Sequence, residues 1–434
     1  MQLKTFFLSG LLLLAFASAA AGQSRSDQWQ LLQSTDGSNL SARHEAAGVV
    51  HGDSIYLMGG RGNRPVERYS MATGQWENLG VAPLELHHAQ PVVIGDAIYI
   101  AGAFTCCYPR ETIVAEIHVL DTRTNTWDVA GSMPTERLRG STAAVAHEGK
   151  LYVLGGNTQG HDGGAVAWFD EYDPNTGQWR VLPDAPNARD HFSAVMIANE
   201  LVAASGRQTA LPNPAANPVQ VVDIYDFQSG QWRSGAPIPT VRGGAAAVGY
   251  GVDVIVAGGE INTSSLALKV VEAYDVKNDT WRTLPAMITG RHGSGGGVSG
   301  RQLFMLSGAS SIGGAAETDD AETLQLPELV IVPADSGGSE TGGETGGAET
   351  GGMETGGTDT GGTDTGGTGT GGTDTAGSDT VDAGKTDAED GGNTSAGELT
   401  PGSSRGGAVG IFLMLCLASC VFQRRRIQQG SCVA

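Results

Sequence analysis

Six tryptophans, Trp29, Trp76, Trp127, Trp179, Trp232 and Trp281, recur along the chain at intervals of 47, 51, 52, 53 and 49 residues. A unit of that length, repeated, cannot bury its apolar face alone and must pack against copies of itself in a ring or a stack. The text around each tryptophan shows what the unit is made of. A short apolar strand ends in a glycine pair or a relic of one: Tyr56 to Gly60, Tyr99 to Ala103, Tyr152 to Gly156, Val202 to Gly206, Ile255 to Gly259 and Phe304 to Gly308. Small residues at a strand end suit positive φ or a close backbone approach. Tyr69, Leu120, Tyr172, Tyr225 and Tyr274 then each stand seven residues before their tryptophan, with turn text such as Ala-Thr-Gly-Gln between them. That spacing predicts a hairpin. Sixteen residues before the glycine pair stands Arg43, Arg139, Arg189, Arg242 or Arg291, or Leu86 in the second repeat, followed by a strand of small residues.

Each unit reads as four short antiparallel strands, which is one propeller blade. The arrangement resembles the kelch repeat over roughly residues 29–327, with departures at Ala103, Ser205 and Ser307 and with the Arg and Tyr missing from the second repeat. The sixth glycine-pair strand is followed by Thr323 to Pro327 but by no tryptophan, whereas Trp29 precedes any glycine pair. The expected fold class is therefore all-β: a six-bladed propeller over residues 23–334 whose last blade is closed by the N-terminal strand, removing an exposed sheet edge.

Residues 1–22 carry a lone Lys4, an apolar run and the exit Ala17-Ser-Ala19, a secretory signal with its cut expected between Ala19 and Gln23. Residues 335–405 are Gly-, Thr-, Asp- and Glu-rich without an aromatic, cannot bury a core, and read as a disordered acidic linker. Treated as a Gly-rich coil of ~70 residues, the linker spans on the order of 45–50 Å. An uncharged stretch at 406–422 sits at the short limit of a transmembrane helix, and the tail 423–434 begins with Arg424-Arg-Arg426, expected to stay cytoplasmic. The Gly-Gly start, short apolar helix and Arg cluster resemble the C-terminal sorting tails of bacterial surface proteins; that resemblance implies a cell-envelope location and a processing protease, and a permanent single-pass anchor is the other reading.

The formal charge of −21 is unevenly spread: residues 315–400 hold 19 of the 47 acidic side chains and only Lys385 as a base. No basic stripe calls for nucleic acid. Of five cysteines, only Cys106 and Cys107 face the oxidising side, either as a vicinal disulfide or as an ordinary loop pair.

No nucleophile triad, metal-protease helix or phosphate loop is present, so function is assigned to the funnel. In kelch propellers the ligand face is built by the loops after the glycine pairs and by the start of the innermost strands. Carried onto this sequence, the resemblance implies Arg61, Phe104, Asn157, Arg207, Glu260 and Ala309 for the first set. The second, one residue past the aligned arginines, is His44, His87, Gly140, Asp190, Gly243 and His292. Ring closure makes the blades of His292, His44 and His87 consecutive, so these imidazoles form a weak candidate for a shared metal; the alternative is three separate wall histidines, and no cofactor is expected. The repeated arginines are assigned a structural role, bonding backbone carbonyls between blades, in preference to gripping an acidic ligand. The six tryptophans are assigned to the core.

The expected activity is that of an exported, surface- or membrane-tethered module binding a protein or glycan. The alternative is an enzyme: exported six-bladed kelch propellers include sialic-acid mutarotases using a glutamate and an arginine, which implies Glu260 as the acid/base, with Lys269 the nearest downstream base. Copper radical oxidases also use kelch propellers, but with seven blades and a ligand set that Cys106 and Cys107 do not match here.

Overall fold

The computed structural model describes residues 28–329. The expected signal (1–22), linker (335–405), transmembrane segment (406–422) and tail (423–434) lie outside them. Among the described residues no helix is long and apolar enough to cross a membrane.

Six four-stranded antiparallel sheets follow one another around an axis. Blade 1 comprises Ala46–His51, Ser54–Gly59, Pro65–Ser70 and Gln75–Val81; blade 2 comprises Val92–Ile94, Ala97–Ile100, Glu116–Asp121 and Thr126–Ser132. Blade 3 runs from Ala143–His147 to Gln178–Val181, blade 4 from Ser193–Ile197 to Gln231–Gly235, and blade 5 from Ala246–Tyr250 to Thr280–Leu284. Blade 6 takes Gly295–Ser299, Gln302–Leu306 and Ala321–Gln325 from the end of the ring and Gln30–Leu31 from its beginning, with Gln30 opposite Thr323 and Leu31 opposite Glu322. The closure expected from Trp29 is present.

The core lies between blades. Six clusters of buried apolar side chains occupy the six interfaces; one joins Val195, Val202 and Ile224 of blade 4 to Val254, Val256 and Tyr274 of blade 5, and another joins Ile55 and Leu57 of blade 1 to Phe304 and Leu306 of blade 6. A lone blade would leave both faces bare, which is why the sequence had to repeat. The hairpin tyrosines and tryptophans are cross-strand partners, with ring centroids 5.0–5.2 Å apart in blades 1, 3, 4 and 5. Trp29 and Trp76 are buried, while Trp127, Trp179, Trp232 and Trp281 pack on the core half-buried. The indole N–H of Trp29, Trp179, Trp232 and Trp281 donates to a carbonyl of the preceding blade, Pro285, Ser132, Pro183 and Ala236 respectively, at 2.7–2.8 Å.

The five arginines are structural, but not in the expected way. Each is fully buried and its guanidinium bonds carbonyls of its own blade: Arg139 reaches Gly155 and Val153, and Arg189 reaches Ala203, Ser205 and Val221. Each also pairs with a buried carboxylate on the third strand of that blade, Glu67, Asp170, Asp223, Glu272 and Glu322 in turn. These acids stand two residues before the position of the hairpin tyrosine, a second period in step with the first. What links blades is the arginine's backbone. The second glycine of a pair donates its N–H to the carbonyl at the Arg position of the next blade, as Gly60 to Leu86, Gly156 to Arg189, Gly206 to Arg242, Gly259 to Arg291 and Gly308 to Arg43, at 2.8–2.9 Å. At Gly259, with φ of 103°, an added Cβ would stand 2.9 Å from the Gly243 carbonyl, so no other residue fits this junction.

Blade 2 departs from the residue pattern at four positions together, while its Leu86 carbonyl keeps the link to blade 1. Leu86 replaces the arginine, His118 the carboxylate, Ala103 the second glycine and Leu120 the tyrosine. An acid at position 118 without its arginine would be an unpaired buried charge, so the two losses are coupled. His118 is buried with neither ring nitrogen bonded, and burial lowers its pKa.

A chain beginning near residue 40 loses the Gln30–Leu31 strand, the Trp29 indole bond and the Leu32 N–H to Ala321 carbonyl bond (2.8 Å). Its melting temperature is expected to fall by several degrees or more, consistent with ~4–8 °C per kcal/mol in small domains and less in larger ones. Equal melting of the two proteins in a calorimetric scan would contradict closure at this blade.

Candidate functional site

In each blade the chain enters the innermost strand and leaves the second strand at the same end of the ring, so the loops after the glycine pairs and the first inner-strand residues meet at one mouth. The opposite end carries the tight turns. At the mouth, the residues after the glycine pairs bridge those one past the aligned arginines: His87 with Phe104, Gly140 with Asn157, Asp190 with Arg207, Gly243 with Glu260 and His292 with Ala309. In blade 1 Arg61 N–H donates to the His44 carbonyl at 3.1 Å. The two expected sets are thus backbone partners, and both form the funnel wall.

The innermost ring is one residue further along. Glu45, His88, Ser141, His191, Gly244 and Gly293 all have left-handed backbones, with φ of 56°, 58°, 57°, 52°, 64° and 55°. For the four that are not glycine this costs about 1–2 kcal/mol each. A belt of inter-blade hydrogen bonds holds them there: His88 N–H to Glu45 carbonyl (3.2 Å), Gly244 to His191 (2.7 Å), Gly293 to Gly244 (2.9 Å) and Ala46 to Gly293 (3.1 Å). Ser141 joins through its hydroxyl, which accepts from His191 N–H at 3.0 Å. The ring surrounds a chamber of about 50 Å³. Gln90 crosses the axis beneath it, donating to the Ala194 carbonyl (2.8 Å) and accepting from Ala194 N–H (2.9 Å) and Ala144 N–H (3.2 Å). Along the inner strands the channel widens to about 330 Å³, lined by Val50, Val93, Val145, Met196 and Val298.

Three histidines converge on the ring. Centroid distances are 4.7 Å for His88–His191, 5.3 Å for His88–His161 and 5.0 Å for His161–His191, and a nitrogen of each lies within 4.8 Å of the others. His161 comes from the blade 3 loop, in the short 3-10 turn Gly160–Asp162 that leans on the blade 2 loop through His161 N–H to Pro109 carbonyl at 2.9 Å. That blade 2 loop carries the Cys106–Cys107 disulfide, which decides between the two readings of the pair. Burial holds the His88 imidazole well below its ordinary pKa, and burial with Arg207 nearby lowers His191. His87 is pushed down to about 4 by burial and by Arg61. Burial tends to raise the Asp190 carboxyl, but His191, Arg207 and Thr209 together hold it below its ordinary value.

Residues 86–308 match the KLHDC2/KLHL20/DRC7 Kelch-repeats domain. The chain belongs to the kelch-repeat family. Kelch-like protein terF of Aspergillus terreus is 29% identical over 343 residues, covering 74% of this chain and 73% of terF. Kelch-like protein 38 of Mus musculus is 24% identical over 261 residues, covering 59% of this chain; the match spans only 42% of that relative. The solved structure of YjhT has the same fold, with a TM-score of 0.57 at 17% identity over 67% of this chain and 95% of that one.

In this kelch propeller the expected histidine set does not form a cluster. His44 and His292 approach to 6.3 Å between centroids, but His44 Nδ1 is taken by Glu317 Oε1 (2.6 Å) and His292 Nε2 by the Ser311 carbonyl (2.9 Å). His87 contacts His88 instead. Arg61 pairs with Glu111 (2.5 Å) and its guanidinium lies 5.9 Å from the Tyr108 ring. Asn157 is fully buried with its amide unbonded. Glu260 pairs with Arg207 of the neighbouring blade and accepts from Gly313 N–H at 3.1 Å, whereas Lys269 turns away to the Ile288 carbonyl. Lys269 is therefore not the partner of Glu260. Glu45, His88 and His191 escape sequence reasoning because the axial ring has no shared residue type, with Gly244 and Gly293 at its register the available signal; His161 escapes it because it reaches the ring from a blade 3 loop that rests on that of blade 2.

Gly293→Ala tests the axial belt. Its Cβ would stand 2.5 Å from the Glu45 backbone nitrogen, whereas at Gly300, with a similar φ of 56°, nothing lies within 4 Å. Urea denaturation is expected to show Gly300→Ala losing about 1–2 kcal/mol and Gly293→Ala losing at least ~1 kcal/mol more, the usual least cost of overpacking.

Proposed function

We propose that this chain is an exported, membrane-tethered kelch propeller that binds a protein or glycan ligand at the mouth of its funnel. The observation that carries this reading is the set of exposed apolar side chains on the loops at the mouth. Over the mouth, loops of three blades expose Tyr108, Leu211 and Leu266 at 64%, 58% and 64% of their surface, above a floor of buried charged groups. Apolar rim anchors around a polar floor are the composition of a recognition site. Kelch domains generally bind protein partners, and an aromatic such as Tyr108 equally suits a sugar face. The export signal and the apolar segment at 406–422 support the tether; a full-length chain is expected in membrane fractions and one ending at residue 405 in soluble ones, while the mass of the mature protein distinguishes a clipped tail from a retained anchor.

The test is a screen of the full chain against glycans and surface proteins. Tyr108→Ala combined with Leu211→Ala is expected to weaken any ligand found at least tenfold, the ~1.4 kcal/mol of a modest anchor. Val129→Ala, on the exposed outer strand of blade 2, should leave it unchanged; equal effects of both would move the site away from the mouth.

One observation favours a second reading. Glu260 and Arg207 form a buried pair across adjacent blades, the residue types that the mutarotase resemblance requires. Under it, Glu260 exchanges a proton with the anomeric hydroxyl while Arg207 orients the substrate carboxylate. Acceleration of sialic-acid anomer exchange, followed by NMR and abolished in Glu260→Gln, is the expected result; rates equal to buffer remove this reading.

A further inference from the structure

We propose that His88, His161 and His191, with Glu45, form a binding site for one divalent transition-metal ion of the zinc class on the propeller axis. Such a site is set by where the ring protons lie and is independent of the ligand that fills the mouth.

His191 Nδ1 stands 2.5 Å from Asp190 Oδ1, and His161 Nδ1 stands 2.7 Å from Glu111 Oε1. A carboxylate accepts, so each Nδ1 carries a proton and each Nε2 is the ring nitrogen left to face a ligand. His88 follows from its neighbour. His87 Nε2 faces the Cys106 carbonyl at 3.2 Å, and a carbonyl also only accepts, so His87 keeps its proton on Nε2 and offers a bare Nδ1. His88 Nδ1, 2.5 Å away, must then be the donor. His88 Nε2 is left as a third such nitrogen.

The Nε2 atoms of His88 and His191 are buried and make no hydrogen bond. Beside His88 Nε2, at 3.1 Å, lies Glu45 Oε2, the one carboxylate of the axial ring. A nitrogen of each of His88, His161 and His191 thus lies within 4.8 Å of the others, with the Glu45 carboxylate against His88, and the orphaned Nε2 atoms of His88 and His191 meet no donor. Acceptors gathered in this way repel unless a cation lies between them.

The donor set matches nitrogen-rich sites for zinc and its neighbours rather than oxygen sites for calcium or magnesium. Tetrahedral zinc with Zn–N of about 2.0–2.1 Å sets ligand atoms ~3.3 Å apart. The Glu45–His88 separation already meets this, and the imidazole nitrogens, within 4.8 Å, close to it by ring movements of about 1 Å. The carboxylates behind His161 and His191 are the outer partners that fix tautomer and ring orientation in such sites.

The experiment uses the full chain, stripped with chelator and titrated with Zn²⁺ or Co²⁺ alone. One equivalent is expected to bind and raise the melting temperature, and Co²⁺ is expected to give ligand-field bands without a thiolate charge-transfer band, which excludes the cysteines outside the propeller. His191→Asn and, on the mouth loop where the ring is spared, His161→Ala are each expected to weaken binding at least tenfold, while His44→Ala leaves it unchanged. His161→Ala provides the decision if His191→Asn fails to fold. Absence of saturable binding, binding unaltered in His161→Ala, or a thiolate signature overturns the proposal.

Discussion

Each blade is organised around a guanidinium taken out of water. Arg43, Arg139, Arg189, Arg242 and Arg291 are fully buried, an arrangement that costs several kcal/mol per ion unless every donor and the charge itself find partners. Carbonyls at the end of the second strand, at the approach to the third or just before the arginine, with a carboxylate on the third strand, take up the terminal nitrogens, so the arginine ties its blade together across segments distant in sequence; the Nε of Arg43, Arg189 and Arg242 is left unbonded. Its backbone carbonyl accepts the glycine N–H of the preceding blade, as the Leu86 carbonyl does in blade 2. Removing either member of one pair would strand the other charge, a loss of about 3–5 kcal/mol. The inter-blade apolar clusters, the closure of blade 6 and the left-handed belt at the axis all presuppose this scaffold.

Blade 2 replaces that scaffold with apolar and neutral groups, and it is also where the chemistry gathers. Leu86, His118, Ala103 and Leu120 stand where other blades carry Arg, acid, Gly and Tyr. The same blade supplies His87, His88, Gln90 and the disulfide loop whose Cys106 carbonyl sets the His87 tautomer. Departure from a repeat's own rules is expected where a protein places function, with the cost met by the neighbours. Here blades 1 and 3 meet it, through Arg61 to Glu111 and through the Pro109 carbonyl to His161.

The ring belongs to the kelch-repeat family, and its mouth is rich in buried titratable groups. His87, His88, His161, His191, Asp190, Glu111, Glu260 and Arg207 all lie within it and are buried. A purely adhesive surface has no need of buried imidazoles held by carboxylates. That contrast makes the floor of the funnel, rather than its rim, the place where this propeller differs from a simple docking platform.

The repeat of Trp, Tyr, Gly pair and Arg determined the architecture from sequence, including the blade count and the use of Trp29 to close blade 6, because each rests on local backbone geometry recurring at a fixed spacing. The arginines' partners were legible too: Glu67, Asp170, Asp223, Glu272 and Glu322 repeat in step with the tyrosines. The site was not. Glu45, His88, Ser141, His191, Gly244 and Gly293 share no side-chain chemistry, and what makes them equivalent is a left-handed backbone imposed by hydrogen bonds from neighbouring blades. His161 is further still from any sequence signal, since it reaches the axis only because its loop rests on that of blade 2. Spacing along a chain reports the contacts a repeat makes with itself; convergence on an axis depends on where six separate chain segments point once the ring is closed, and only the tertiary structure decides that.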